Sequence, residues 1–529
     1  VADFDVAVVG LGPVGCTAAL LLAEAGLRVV AIERDESVYA LPRAVNLDGE
    51  IIRAFQKVGR GQTVQDLMQA CRPGDRAGFV NSKREWLFGQ ESRDFGKNGW
   101  QPMNMFDQPE LESYLRDEAV GHERVHALIG YEATRFEDRR DEVLTHYRQI
   151  ENQTAVEHSV RARYLIACDG ASSNIRKTLG IGWVDLGYDH EWLVVDVTLK
   201  PGHTLENGTL QVCDPDRIHT YVCTKDPYRR WEFKLLPGET AQDMLQEEKI
   251  HSLIEPWTPV GTYEIRRCAV YQFHAANATS WREGQVLIAG DAAHQTPPFL
   301  GQGMNAGMRD VINLSWKLPM VLNGLADEAL LDTYFVEREA HAHDLVDWAV
   351  SIGQLMEHTA EQERCARAGL DAPAMPSKLK SSGYGQGREQ PPIRDGVVML
   401  EQVSEQGFAG YLFSQPIVRH TANSESRTQL TEASFKLDEL LGPGFAVVCR
   451  GEECPDLSPA SQDILARIGA RILTLAGLEL VKGRFDAVFK AHEVAIVRPD
   501  ALVFGHTDDD TSLDTLIRAL AEKLELVGN

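Results

Sequence analysis

The hydrophobic pattern sets in almost at the first residue. Phe4-Asp5-Val6-Ala7-Val8-Val9 reads as a buried strand, Pro13–Ala25 as a small-residue helix and Arg28–Ile32 as a second strand, together a βαβ unit. Pro13 suits an early helical position and Gly26 the helix stop. Between about Ala77 and Phe106 the pattern breaks into short aromatic segments and turns, and a helix resumes at Gln108–Leu115. Strand patterns follow at Val125–Ile129, Val143–Arg148 and Ala162–Ala167. From about Tyr188 to Phe273 the chain reads mostly as β, with strands at Trp192–Val197, Ile218–Thr224, Trp231–Leu236 and Tyr263–Phe273 and one helix over about Ala241–Leu253. The βα alternation returns with Gln285–Ala289, a long helix over about Gly303–Leu322 and a second over about Leu330–Met356.

This order predicts one α/β domain over residues 1–76, 106–186 and 276–362, interrupted by β-rich segments 77–105 and 187–275. Residues 363–393 read as a linker, because Pro373, Pro376, Pro391 and Pro392 accompany the run Ser381-Ser382-Gly383-Tyr384-Gly385-Gln386-Gly387. Beyond it, strand patterns at Gly444–Val448, Arg471–Leu475 and Val494–Val497, with a helix near Ser461–Ile468, predict a small separate α/β domain over residues 394–529.

Charge narrows the function. With 53 Lys+Arg against 78 Asp+Glu the net charge is −25, which disfavours nucleic acid and anionic membrane surfaces as partners. No apolar run reaches the roughly 18 residues of a membrane span. A strand pattern so close to the first residue argues against a signal peptide. Nine cysteines without a CxxC pair point to reduced, buried thiols in a cytoplasmic protein. No Cys/His cluster has zinc spacing; His341 and His343 fall about 200° apart on a helix and cannot share a metal. No metal is expected.

Three motifs carry chemistry. The first, Gly10-Leu11-Gly12-Pro13-Val14-Gly15, joins a strand to a helix. Gly10 permits the turn, Gly12 lets a pyrophosphate approach the backbone, and Gly15 lets helix pack on strand. Glu33, 18 residues after Gly15, ends the next strand where a carboxylate can accept both ribose hydroxyls, with Arg34 beside it. An acid there suits a free ribose, hence FAD or NAD. The second, Cys168-Asp169-Gly170, follows the strand Ala162–Ala167; alone it is a common turn pair. The third, Gly290-Asp291-Ala292-Ala293-His294, leads through Pro298, Gly301 and Gly303 into a long helix. Asp291 can bind a sugar-like hydroxyl, and the helix N-terminus suits a ring edge that gains negative charge.

The order of these motifs, with a β-rich insertion between the second and third, resembles the class A flavoprotein monooxygenases. These are the single-component aromatic hydroxylases, and the likeness is to their hydroxyphenylpropionate and phenol hydroxylase branch. Further matching stretches are Tyr39-Ala40-Leu41-Pro42-Arg43-Ala44, Cys213-Asp214-Pro215, Arg230-Trp231-Glu232-Phe233, Leu236-Pro237-Gly238-Glu239, Gly301–Asp310 and Val497-Arg498-Pro499-Asp500. The resemblance implies an α/β protein: a Rossmann-like FAD-binding domain (para-hydroxybenzoate hydroxylase-like), an inserted β-rich substrate domain and a C-terminal thioredoxin-like domain. Without a CxxC, that last domain is expected to serve structure or oligomer contact rather than dithiol chemistry, and a homodimer fits this reading.

The resemblance also implies roles. Gly10, Gly12, Pro13, Val14, Gly15, Glu33 and Arg34 would hold the ADP half of non-covalent FAD. Arg43 would lie near the flavin and its access path, and Gln108 near the ribityl–phosphate region. Asp169 and Gly170 would serve FAD and NAD(P)H handling. Gly290 and Asp291 would meet the ribityl chain, while Pro298, Gly301, Gly303, Met304 and Asn305 would cradle the ring. NADH or NADPH would reduce the FAD, and one atom of O₂ would enter a small phenolic substrate. A phenol of pKa near 10 stands about three units from neutrality, so a base or relay would help. His219, Tyr221 and Tyr271 in the β-rich insertion are the candidates, with His274 behind them. The sequence reads His274-Ala275-Ala276-Asn277 where hydroxyphenylpropionate hydroxylases place an Arg, which favours a neutral phenol. Alternatives are a larger polycyclic substrate, Baeyer–Villiger-type chemistry, or a non-catalytic flavin-binding sensor or scaffold.

Overall fold

The computed structural model describes residues 2–92, 95–150, 156–380, 390–404, 407–421 and 433–528. Its first sheet is built from the strongest apolar runs. Val125–Ile129, Val29–Glu33, Phe4–Val9, His158–Ala167 and Val286–Ile288 lie side by side and parallel. Phe4–Val9, Val29–Glu33 and Val286–Ile288 are buried along most of their length on both faces, which is why they read as continuous apolar runs instead of alternating. An antiparallel hairpin, Tyr131–Asp138 and Val143–Gln149, hangs from His158–Ala167. The three motifs follow three adjacent strands of this sheet. Parallel pairing therefore delivers Gly10, Asp169 and Asp291 to one edge, outside the carboxyl ends of the strands.

The second sheet runs His294–Gln295, Tyr263–Ala278, Trp183–Leu199, Tyr228–Lys234, His219–Cys223, Gly208–Cys213, Arg76–Asn81 and Trp86–Glu91. Arg76–Asn81 and Trp86–Glu91 thus join strands more than a hundred residues away. The strand Gly208–Cys213, which the apolar pattern does not predict, completes the junction. Gly208 (φ +123°) lets it approach closely, since a Cβ there would sit 2.2 Å from the Arg76 carbonyl oxygen.

The C-terminal sheet has the order Arg471–Thr474, Ala446–Cys449, Val494–Val497, Val503–His506, parallel in the first pair and antiparallel in the others. With the helices Pro459–Arg467 and Leu513–Lys523 it has a thioredoxin-like topology. Two observations differ from the sequence expectations. The helix expected to end near Met356 runs over Asp332–Ala368 and stops at left-handed Gly369. Cys449 and Cys454 form a disulfide, correcting the expectation of nine reduced thiols: Cys449 ends its strand, and the turn that follows brings Cys454 to a Cα separation of 5.5 Å. The run 381–387 lies outside the described residues.

Candidate active site

One cavity of about 1780 Å³ runs from the three motifs to the face of the second sheet. A single small-ligand pocket takes roughly 300–1,000 Å³, so this one has room for a dinucleotide and a substrate together.

At the nucleotide end, Gly10 (φ +92°) and Gly15 are steric requirements. A Cβ on Gly15 would lie 1.8 Å from the Gly10 carbonyl oxygen, and one on Gly10 2.5 Å from that of Cys168. A Cβ on Gly12 would meet nothing within 4 Å, because Gly12 borders the open cavity, as do Pro13 and Val14. Buried Glu33 accepts the Leu11 and Asp35 N–H groups at 2.5 and 2.7 Å, so it also fastens the glycine loop. Arg34 is exposed and lies 3.5 Å from Asp35.

Asp169 has two uses. Its Oδ2 caps the short helix Asn174–Thr178 by accepting from Asn174 and Ile175, while its Oδ1 is buried beside the cavity without a partner among the described residues. Gly170 (φ +80°) leaves open space next to it. Asp291 projects its carboxylate into the cavity, where the enclosing protein raises its pKa. Pro298, Gly301, Gly303 and Met304 line the wall at the N-terminus of helix Gly303–Leu322, and a Cβ on Gly303 would again meet nothing within 4 Å.

Several expected contacts lie elsewhere. Gly290 is off the wall, packed on Val14 and donating to Asp310 at 3.0 Å. The Asn305 side chain accepts from the Asp48 N–H and donates to the carbonyls of Asn46 and Gly301. Gln108 does line the cavity; it accepts the N–H groups of Arg43 and Ala44 and donates to Glu112, pinning the segment that carries Arg43. Arg43 itself lines the cavity with its guanidinium over the Tyr39 ring. The network of Arg309 with Asp48, Glu50 and Gln302 is a wall feature whose partners the matching stretch Gly301–Asp310 does not reveal.

These features fit FAD. An open glycine floor, a partnerless buried carboxylate oxygen and a free carboxylate suit ribose, pyrophosphate and ribityl hydroxyls, and two helix N-termini face the space between them.

At the substrate end, strand parity decides which side chains reach the cavity. Thr220 and Val222 face it, so His219 and Tyr221 on the same strand face away. His219 packs against Phe233 and Trp257, and burial pushes its pKa down to about 4. Tyr221 stacks on Trp257 and donates to the Glu206 carbonyl at 2.6 Å. The expectation for both is corrected: polar and apolar residues occur on both faces of their strand (His219 and Tyr221 on one, Thr220 and Val222 on the other), so sequence alone does not reveal its inward face. His274 lies on the surface beside Asp189. Tyr271 does line the cavity, with Arg267 over its ring. Gln211, Thr220 and Glu232, which the sequence does not mark as site residues, lie on the same face. One signal was available: the charged residues Arg230, Glu232 and Lys234 alternate with Trp231 and Phe233 along one strand.

Residues 3–349 match the FAD binding domain family, and residues 410–523 the HcaD C-terminal domain family. The chain belongs to the FAD-dependent aromatic hydroxylases. Within this family it is 32% identical to a probable NADH-specific resorcinol 4-hydroxylase of Rhodococcus jostii, across 98% of this chain and 94% of that protein. It is 30% identical to a 3-(3-hydroxy-phenyl)propionate/3-hydroxycinnamic acid hydroxylase of Klebsiella pneumoniae, across 99% and 95%. In fold this hydroxylase is similar to aklavinone-11 hydroxylase solved with FAD and aklavinone, at TM-score 0.76 and 24% identity over 99% of both chains. A second similar structure is the OxyS anhydrotetracycline hydroxylase of Streptomyces rimosus, at TM-score 0.71 and 20% identity over 99% of both.

Proposed function

We propose that this hydroxylase acts on a neutral phenol of the resorcinol class, with NADH as reductant and O₂ as oxygen source. Bound FAD supplies electron transfer from the nicotinamide and activation of O₂. The glycine loop, Glu33, Asp169 and Asp291 hold the dinucleotide, and the second sheet orients the ring.

The observation that supports a neutral substrate is the chemistry of the sheet face. Its polar groups are a carboxylate, an amide and hydroxyls, from Glu232, Gln211, Thr220 and Tyr271. Both of its arginines face Asp196: Arg230 bonds to it and to the carbonyls of Pro42 and Arg43, while Arg267 donates to the Pro42 carbonyl and lies 3.6 Å from Asp196. A substrate carboxylate would meet Glu232 and find both guanidinium groups already facing Asp196, whereas phenolic hydroxyls find acceptors and donors. The NADH-specific description of the Rhodococcus relative supports the same choice here.

The test is coupled turnover of the holoenzyme with NADH or NADPH on resorcinol and on 3-(3-hydroxyphenyl)propionate. Resorcinol with NADH is expected to yield hydroxylated product. A higher kcat/KM on the propionate would overturn the reading.

A further inference from the structure

A polar row crosses the sheet face of the cavity. Gln211, Thr220, Glu232 and Val194 are successive Cα partners across the strands Gly208–Cys213, His219–Cys223, Tyr228–Lys234 and Trp183–Leu199. Gln211 Oε1 accepts from the Thr220 hydroxyl at 2.7 Å, and its Nε2 donates to the Phe299 carbonyl at 3.4 Å. The row is thereby tied to the loop that opens helix Gly303–Leu322. Glu232 stands next in line, with a side chain only 6% exposed. Among the described residues its carboxylate takes part in no hydrogen bond, and Arg230 Nη1 lies 3.9 Å away. Arg230 points its shorter contacts at Asp196 and the Pro42–Arg43 carbonyls. A buried carboxylate normally has its acceptor sites filled. One that lines a cavity with those sites open is built to receive a donor from a ligand.

We propose that Glu232 is the base that accepts the proton of the substrate's phenolic hydroxyl, with Gln211 and Thr220 setting the position of the ring. The inference rests on the neutral-phenol reading of this face. The phenol O–H bond breaks and an O–H bond forms on the carboxylate. The electron pair left on oxygen conjugates into the ring and strengthens the ortho and para carbons as nucleophiles. When the oxygenated ring regains aromaticity by losing its C–H proton to water, the oxygen recovers its proton and Glu232 returns to carboxylate.

Burial pushes the Glu232 carboxyl up to about 7, against the pull of Arg230 and Arg267 and with Asp196 adding to the rise. Besides these three, Tyr271 is the titratable group on the same face. A base near 7 is better matched to a phenol near 10 than an ordinary glutamate of about 4.3.

The test compares wild-type holoenzyme with Glu232→Gln and Glu232→Asp on resorcinol, NADH and O₂, after FAD content and circular dichroism confirm folding. In the wild type, kcat/KM for hydroxylated product should climb along a limb centred near pH 7. Glu232→Gln should lose that limb and about 10²–10⁴-fold in product formation, while NADH still reduces the flavin and the electrons emerge as hydrogen peroxide. Glu232→Asp should keep the limb at a lower rate. An independent readout is resorcinol affinity by tryptophan fluorescence. It should tighten from about pH 6 to about pH 8 in the wild type as the acceptor ionises, and stay level in Glu232→Gln. Wild-type rates with the limb intact in Glu232→Gln would overturn the proposal. Should the wild type hydroxylate no neutral phenol, the substrate reading fails by itself; the binding profile then decides Glu232, and a level wild-type profile overturns it.

Discussion

Gly15 stands where a single methyl group decides whether helix and strand can meet. A Cβ 1.8 Å from the Gly10 oxygen must push the helix Pro13–Glu24 away from its strand. Gly15→Ala is expected to cost at least the ~1–3 kcal/mol of an overpacked site and to leave the purified protein depleted in flavin. Flavin absorbance and thermal unfolding check this, and full flavin content with an unchanged midpoint would refute it. Such a residue is legible in sequence because its constraint is local: strand, turn and helix lie within a dozen positions. Asp169 is only half legible. Its neighbour Gly170 marks a turn, but the division of its carboxylate between a helix cap and an open oxygen depends on the fold.

Among the secondary-structure elements, the strand His219–Cys223 carries the main correction. Its neighbours assign Thr220 and Val222 to the cavity, and His219 and Tyr221 to an aromatic core with Phe233 and Trp257. Tyr221→Phe should therefore leave the rate of ring hydroxylation unchanged, while losing about 1 kcal/mol of stability with the bond to the Glu206 carbonyl. Single-turnover product formation and urea unfolding measure the two effects. A large fall in hydroxylation would return Tyr221 to the active site. Because period two is strict in a strand, a one-residue error in assigning the inward face misplaces every side chain on it. Long helices suffer less: Gly303–Leu322 was legible to the residue, since its glycine start and apolar stripe both lie in the chain.

At the scale of the whole molecule, buried ions hold the C-terminal domain to the FAD domain. Arg498 grips Glu337 with both terminal nitrogens at 3.1 and 2.8 Å and reaches Asp500 at 2.6 Å, while Lys317 adds a contact to Glu337 at 3.0 Å. Arg53 makes a second buried link to Asp438. The stretch Val497–Asp500, matched in sequence to the aromatic hydroxylases, thus has an architectural use. Burial alone would raise the Glu337 carboxyl, but Arg498 and Lys317 override it and hold the pKa at about 2. The folded value lies below the ordinary one, so this stabilisation is complete above the usual carboxylate range of about 4.3 and is lost as pH falls through about 2. Arg498→Met should cost about 3–5 kcal/mol at neutral pH and raise the pH at which acid unfolds the protein. Urea unfolding at neutral and mildly acid pH tests this, and unchanged midpoints would refute it.

The chain by itself determined the βαβ start, the three glycine–acid motifs and their order, the β-rich insertion and the aromatic-hydroxylase resemblance. All of these are written in contiguous residues whose spacing is dictated by backbone geometry. Folding alone settled that Arg76–Asn81 pairs in parallel with Gly208–Cys213, that Cys449 meets Cys454 and that Glu232, not Tyr221, faces the cavity. Those outcomes depend on which strand lies beside which, and pairing between distant segments leaves no periodic trace in either one alone.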